Sequence, residues 1–201
     1  MNGEIQVCGS TDSERLAITS NEYEEEIHRF ILQNTPLFKE SPILQFEIDV
    51  WSYNEPFMLI RHTTRNISDE KIKDFKLYNI MDFDIGGPIS YKDDLGSYDK
   101  DTGIIKVYDQ SSLYVAMTSN PTPSKWDLDR PTSFKLEANR DLQGRTKLGP
   151  QDIATGLQWN WGNLNPTDSK SVDLVLVASK NPQEMDSLFQ RAKDMFGKKM
   201  Q

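Results

Sequence analysis

Apolar and polar residues alternate along most of this chain. Leu44, Phe46, Ile48 and Val50 alternate with Gln45, Glu47 and Asp49. Only an extended backbone puts residues two apart on one face, so this run predicts a half-buried strand. After a break at Asn54-Glu55-Pro56, the segment Phe57–His62 predicts a second strand. Asn66-Ile67-Ser68-Asp69-Glu70 carries turn chemistry. Beyond it Phe75, Leu77, Met81, Phe83 and Ile85 share one parity, which predicts a long strand ending at Gly86-Gly87-Pro88. Residues 89–103 are polar and read as a loop. Ile104–Tyr108 and Leu113–Thr118, joined by Asp109-Gln110-Ser111-Ser112, read as a hairpin. Residues 119–131 hold Pro121, Pro123 and Pro131 and read as a surface loop. Residues 132–152 are weakly patterned, with Phe134, Leu136, Leu142 and Leu148 as the inward residues. Ala154–Trp161 and Ser171–Ala178 then predict two further strands around a turn at Gly162–Asp168.

The ends of the chain differ from its middle. Asn181 suits a helix cap, Pro182 the first helical position, and Glu184 stands three residues after the cap. Met185, Leu188, Phe189, Ala192 and Phe196 follow the spacing of one helix face, so a C-terminal amphipathic helix is expected over about 182–197. At the other end Ile5–Val7 and Arg15–Thr19 resemble short strands. Tyr23, Ile27, Phe30 and Ile31 fit a helix capped by Ser20 or Asn21 and fit a strand equally well. Roughly nine to twelve turn-punctuated strands with one secure helix predict a mainly β, antiparallel β-sandwich, expected as a single domain over residues 1–201.

Composition narrows the partners. The 201 residues include 31 acidic against 23 basic side chains, a net charge of −8. That balance argues against nucleic acid and against anionic membrane surfaces, both of which select cations. No apolar run approaches the roughly 20 residues needed to span a bilayer. The opening Met1-Asn2-Gly3-Glu4 lacks the basic start of a signal peptide, and Cys8 is the single cysteine, so a cytoplasmic location without disulfides is expected.

Three segments carry a family likeness. Arg65-Asn66-Ile67-Ser68-Asp69-Glu70 precedes a strand that closes with Met81-Asp82-Phe83-Asp84-Ile85-Gly86-Gly87. Later come Gly149-Pro150-Gln151-Asp152-Ile153-Ala154-Thr155-Gly156-Leu157-Gln158-Trp159 and Gly162-Asn163-Leu164-Asn165-Pro166. Over residues 40–180 their order and spacing resemble the N-terminal domain of prokaryotic glucoamylase-type glycoside hydrolases. The resemblance implies the galactose-mutarotase-like super-sandwich fold. In that family an α/α-barrel follows the sandwich and carries two catalytic glutamates. This sequence has no counterpart of the barrel, so the hydrolase activity does not carry over, and the histidine and acid pattern of mutarotases is not visible around His28 or His62.

The candidate chemistry is acidic and aromatic. Asp82, Asp84, Asp93, Asp94, Asp99, Asp101 and Asp109 crowd one stretch. Hard oxygen donors suit Ca²⁺, and Asp99-Lys100-Asp101-Thr102-Gly103 begins like a calcium loop, although Gln110 stands where an EF-hand needs glutamate. Asp99 and Asp101 are the candidate metal ligands, against the plainer reading of soluble turns. Trp126 with Asp127, Asp129 and Arg130 combines an aromatic face with hydrogen-bonding groups, the mixture a sugar ring demands; the plainer reading folds the tryptophan onto the sandwich. Trp159 and Trp161 share a face with Leu157 and are expected inside, and Trp51 is placed on the opposite face, under the helix. Asp82 and Asp84, about 7 Å apart along one strand, could act as a carboxylate pair. His28, His62 and Cys8 show no metal-ligand spacing. The expected function is therefore a non-catalytic carbohydrate-binding or interaction module with an oligosaccharide as ligand. The alternatives are a structural module, pairing as a homodimer or with a protein partner through the helix or a sheet edge, and a sugar-acting enzyme using Asp82, Asp84 or His62.

Overall fold

The computed structural model describes residues 16–24, 26–35, 40–87, 90–110, 113–134 and 140–199. The predicted strand at Ile5–Val7 and Cys8 lie outside the described residues. Twelve strands run in chain order: β1 (Leu16–Glu24), β2 (Ile27–Asn34), β3 (Leu44–Ser52), β4 (Phe57–Asn66), β5 (Ile72–Asp82), β6 (Leu95–Asp99), β7 (Ile104–Tyr108), β8 (Tyr114–Asn120), β9 (Lys125–Asp129), β10 (Lys147–Leu148), β11 (Ala154–Leu164) and β12 (Ser169–Ser179). A helix, α1 (Met185–Lys199), closes the order. The ambiguity around Tyr23–Ile31 resolves as strand, because β2 is paired on both sides, to β1 and to β3.

The strands form two antiparallel sheets. Nine make a large sheet in the order β1-β2-β3-β4-β12-β8-β7-β6-β10, and three make a small one, β5-β11-β9. Between them lies the main core. The large sheet contributes Ile60, Tyr98, Ile105, Val107, Met117, Val172 and Leu174, and the small sheet Leu128, Leu157 and Trp159. Trp159 is buried and its Nε1 donates to the Pro121 carbonyl at 3.0 Å. Trp161 is half-buried and stacks on Phe75.

The helix covers the other face of the large sheet. Asn181 accepts a hydrogen bond from the Gln183 amide, Pro182–Glu184 form a 3₁₀ turn, and α1 follows. Leu188, Phe189, Ala192 and Phe196 are buried against Trp51, Phe57, Leu59, Ala116, Val175 and Val177. Trp51 meets Phe196 edge to face at 5.3 Å, so the tryptophan of β3 sits where the parity of its strand placed it.

Three predicted boundaries need correction. The polar stretch 89–103 contains β6, and the proline-rich stretch 119–131 contains β9, so neither is simply a loop. The long strand stops at Asp82 rather than Ile85, because residues 85–87 turn, with Gly86 at φ +73° and Gly87 at φ +70°. Asn66 is fully buried. It donates to the Glu70 and Leu164 carbonyls and accepts from Ser68. An asparagine so enclosed is a turn anchor, as the turn chemistry of its segment predicts.

Candidate functional site

Pairing of β5 with β11 sets Asp82 opposite Ala154, two residues after Asp152. Asp82, Asp84 and Asp152 thereby converge, with carboxylate oxygens all within 4.8 Å of one another. Asp82 and Asp84 are exposed and Asp152 is half-buried. Partial burial, then the charges of Asp84 and Asp152, hold the Asp82 carboxyl above its ordinary range. Asp94 lies behind them at 0% exposure. Neither of its carboxylate oxygens completes a hydrogen bond, although the Ile85 amide faces them and favours the charge. Burial first, then the charges of Asp109, Asp152 and Asp84, push Asp94 up to about 7. Ser90 Oγ stands 3.0 Å from both the Ile85 carbonyl and Asp109 Oδ2, which ties the turn to the end of β7.

A groove opens beside this acidic end on the outer face of the large sheet. It has a volume of about 500 Å³ and is lined by Leu95, Gly96, Ser97, Lys106, Tyr108 and Lys147 among others. Tyr108 pairs across the hairpin with Tyr114, their rings stacked at 5.3 Å, and Lys106 Nζ lies 5.7 Å over the Tyr108 ring. Lys106 and Lys147 are exposed. A second, smaller hollow of about 230 Å³ is lined by Gln45, Glu47, Thr63, Arg65, Thr167 and Ser169. Next to it a charged row crosses four strands in register, Arg29–Asp49–Arg61–Asp173.

The residues expected to bind sugar do not share a surface. Trp126 points with Leu128 toward the core, its ring stacked on Tyr98 at 4.2 Å and Lys100 Nζ 5.5 Å above it. Asp127 and Asp129 lie on the opposite face of β9, both paired to Arg145. Asp127 is buried and also accepts from the Leu128, Gln143 and Arg145 amides. Arg130 is exposed and donates to Gln151 Oε1 at 3.0 Å. For the expected metal ligands, Asp99 Oδ1 accepts from the Asp101 and Thr102 amides, which hold its carboxyl below the usual range. Among the described residues no third acid joins Asp99 and Asp101; the acids that do gather are Asp82, Asp84 and Asp152. Sequence proximity could mark Asp82 and Asp84, but Asp152 is 68 positions further on and reaches them only through strand pairing.

His62 is aligned with Ile48 and Val172 on the inward side of β4. Its Nε2 is buried without a partner, and burial alone lowers its pKa to about 4. Among the described residues no carboxylate contributes to that shift, so the acid–base pair considered for this histidine is not assembled. Asp82 and Asp84 are close enough for paired-carboxylate chemistry, yet they line neither of the two hollows. Among the described residues no helix is long and apolar enough to cross a membrane.

No protein-family model matches the sequence. No curated protein matches it either. Solved structures do. A protein assigned as a kojibiose phosphorylase, from the human microbiome, is similar at a TM-score of 0.51 and 13% identity, over 90% of this chain and 24% of its own. An Escherichia coli K12 protein assigned as an aldose 1-epimerase is similar at 0.50 and 5% identity, over 82% of this chain and 68% of its own. An aldose epimerase homologue from C. elegans is similar at 0.50 and 11% identity, over 82% and 68%. This chain thus spans about a quarter of the first protein and about two thirds of the epimerases. At these identities the likeness is one of fold, the galactose-mutarotase-like sandwich that the sequence resemblance implied.

Proposed function

We propose that this chain is a non-catalytic carbohydrate-binding sandwich whose ligand is an oligosaccharide held in the groove at Tyr108. The observation that carries the reading is the stacked Tyr108–Tyr114 pair beside Ser97, Lys106 and Lys147. An aromatic face accepts the C–H side of a sugar ring, while hydroxyl and ammonium groups at its rim meet the sugar hydroxyls. A fold shared with proteins assigned to sugar chemistry agrees with this choice of ligand. Trp126 packs against the core with its ring on Tyr98 and does not line the groove, so it takes no part in this reading.

Calorimetric and NMR titration against a panel of neutral and acidic oligosaccharides tests the proposal. At least one member binds wild type and the Trp126→Phe variant, and fails to bind Tyr108→Ala. Absence of heat and of shift changes across the panel, or unchanged binding by Tyr108→Ala, sinks it.

A second reading, a structural module that pairs with another copy of itself, rests on a different observation. The large sheet overhangs the small one, and on the overhang Ile18 and Tyr23 are 64% and 72% exposed. Large apolar side chains on an outermost strand are a pairing surface. Light scattering decides it: a dimer that Ile18→Lys breaks, in a protein with no sugar affinity, favours the second reading over the first.

A further inference from the structure

We infer that the ligand of the Tyr108 groove is an anionic oligosaccharide, one whose rings carry a carboxylate or a sulfate; the inference rests on the sugar reading of that groove and names its ligand class. Strand register carries it. Pairing of β10 with β6 sets Lys147 opposite Ser97, and pairing of β6 with β7 sets Ser97 opposite Lys106, so the three form one row across the rim of the large sheet. Neighbouring strands lie about 4.8 Å apart, which puts the two lysine Cα atoms about 10 Å apart with the serine between them. The next row on the same face, about 7 Å along the strands, is Leu95, Tyr108 and Tyr114. Alternation keeps Lys106 and Tyr108 outward, since Ile105 and Val107 beside them are fully buried. An aromatic row and a cationic row thus run side by side, and both contribute to the lining of the same groove of about 500 Å³.

A second feature is independent of that register. Lys106 and Lys147 are exposed, and among the described residues no carboxylate forms an ion pair with either. Asp99 is close enough to feel the charge of Lys106, but its Oδ1 is engaged by the Asp101 and Thr102 amides. Lys106 rests instead against the Tyr108 ring, its Nζ 5.7 Å from the centroid. An exposed cation–π contact is weak, and a ligand anion within hydrogen-bond reach displaces it. The chain has 31 acidic against 23 basic side chains, so long-range attraction does not bring anions to it and any preference for them must be local. A neutral sugar would meet the two ammonium groups with hydroxyls alone. A charged ring laid on the Tyr108 platform sets its anion over the Lys106–Ser97–Lys147 row. Lysine suits that task, because a compact charge on a flexible stem follows an anionic group along an oligosaccharide without demanding the fixed geometry of a guanidinium fork.

The test titrates the full chain by calorimetry with oligogalacturonate and oligoglucuronate, each beside its methyl ester, and with a sulfated galacto-oligosaccharide beside the unsulfated one. Each neutral twin keeps the ring and drops the charge. In at least one pair the anionic member binds wild type about tenfold more tightly than its twin, two exposed ion pairs contributing roughly three- to fivefold each. Added NaCl erodes that preference and leaves the neutral twin unaffected. Lys106→Met and Lys147→Met each weaken the anionic member by about three- to fivefold without touching the neutral one, and Lys106→Arg and Lys147→Arg retain it. Both methionine variants unfold at the wild-type Tm, because the side chains they replace are exposed. Equal affinity for charged and neutral members, in a protein where Tyr108→Ala abolishes binding, overturns the charge preference and leaves the sugar groove standing. Unchanged anionic affinity in both lysine variants overturns it as well, and reduces Lys147 to a guard of the sheet edge. Wild type that binds no member of any pair sinks the groove and this inference together.

Discussion

The Arg61 guanidinium grips the Asp173 carboxylate with two parallel hydrogen bonds, 2.6 Å from Nε and 2.9 Å from Nη2, and lies 5.2 Å over the Phe196 ring. One side chain therefore joins β4, β12 and the helix. The planar fork matches a carboxylate in a way a lysine cannot. Removing it leaves Asp173 partly desolvated with no cation in its place. Arg61→Met is expected to cost about 1–3 kcal/mol, the range for losing one partner of a charged hydrogen bond, and Arg61→Lys to recover only part of it. A double-mutant cycle with Asp173→Asn in urea denaturation measures the coupling; a coupling near zero would show the fork to be ornamental.

The helix is held by one apolar face, and Phe196 is its outermost anchor on Trp51. Phe196→Ala is expected to destabilise the protein by about 3–5 kcal/mol, the usual cost of emptying a buried phenylalanine site. Trp51 fluorescence should shift to the red as its ring is wetted. An unshifted spectrum with unchanged stability would place the helix elsewhere.

His62 sets a pH dependence. Its folded pKa of about 4 lies below the ordinary 6.5, so the folded protein excludes a proton that the unfolded chain binds. The contribution is fully present above pH 6.5 and is lost as pH falls toward 4, with no further change below. Its ceiling is about 3 kcal/mol, at 1.36 kcal/mol per pH unit of displacement. His62→Leu also removes an unpaired buried nitrogen, so its stability relative to wild type should improve steadily between pH 6.5 and 4. A constant difference across that window would mean that His62 is solvated.

Gly86 and Gly87 make a matched pair. Both have positive φ, +73° and +70°, but a Cβ on Gly86 would lie 1.9 Å from Ser90 Oγ and 2.7 Å from Asp109 Oδ2, while one on Gly87 meets nothing within 4 Å. Gly87→Ala should therefore cost about 1–2 kcal/mol, the left-handed penalty alone. Gly86→Ala should cost clearly more, because it also breaks the Ser90 bridge. Equal losses in thermal unfolding would mean that the Ser90–Asp109 contact does not restrain the turn.

Most of the sandwich was legible because its strands obey a two-residue period and its helix carries a cap, a proline and an apolar stripe. Where that failed, the reasons are local. In β6 the core positions are Gly96 and Tyr98, and Gly96 is small because Leu128 and Ile153 fill the space above it. A glycine gives no hydrophobic signal, so the strand read as loop. β9 alternates Trp126 and Leu128 with Asp127, but an aspartate satisfied by Arg145 and three amides resembles a solvated turn until its partners are seen. The acidic site was half legible: Asp82, Asp84 and Asp94 stood out as a cluster, whereas Asp152 belongs to it through strand register alone. The tyrosine groove gave no warning, since Tyr108 and Tyr114 read simply as hairpin residues and become a ring pair only by cross-strand alignment.

Three strands cannot shade nine. The small sheet roofs only part of the large one, so β1 at the outermost edge leaves Ile18 and Tyr23 open to water and is secured by backbone pairing at one flank. Such a margin is the first part of the molecule to open under strain and the last to gain protection against hydrogen exchange. It is also the part that gains most from leaning on something else.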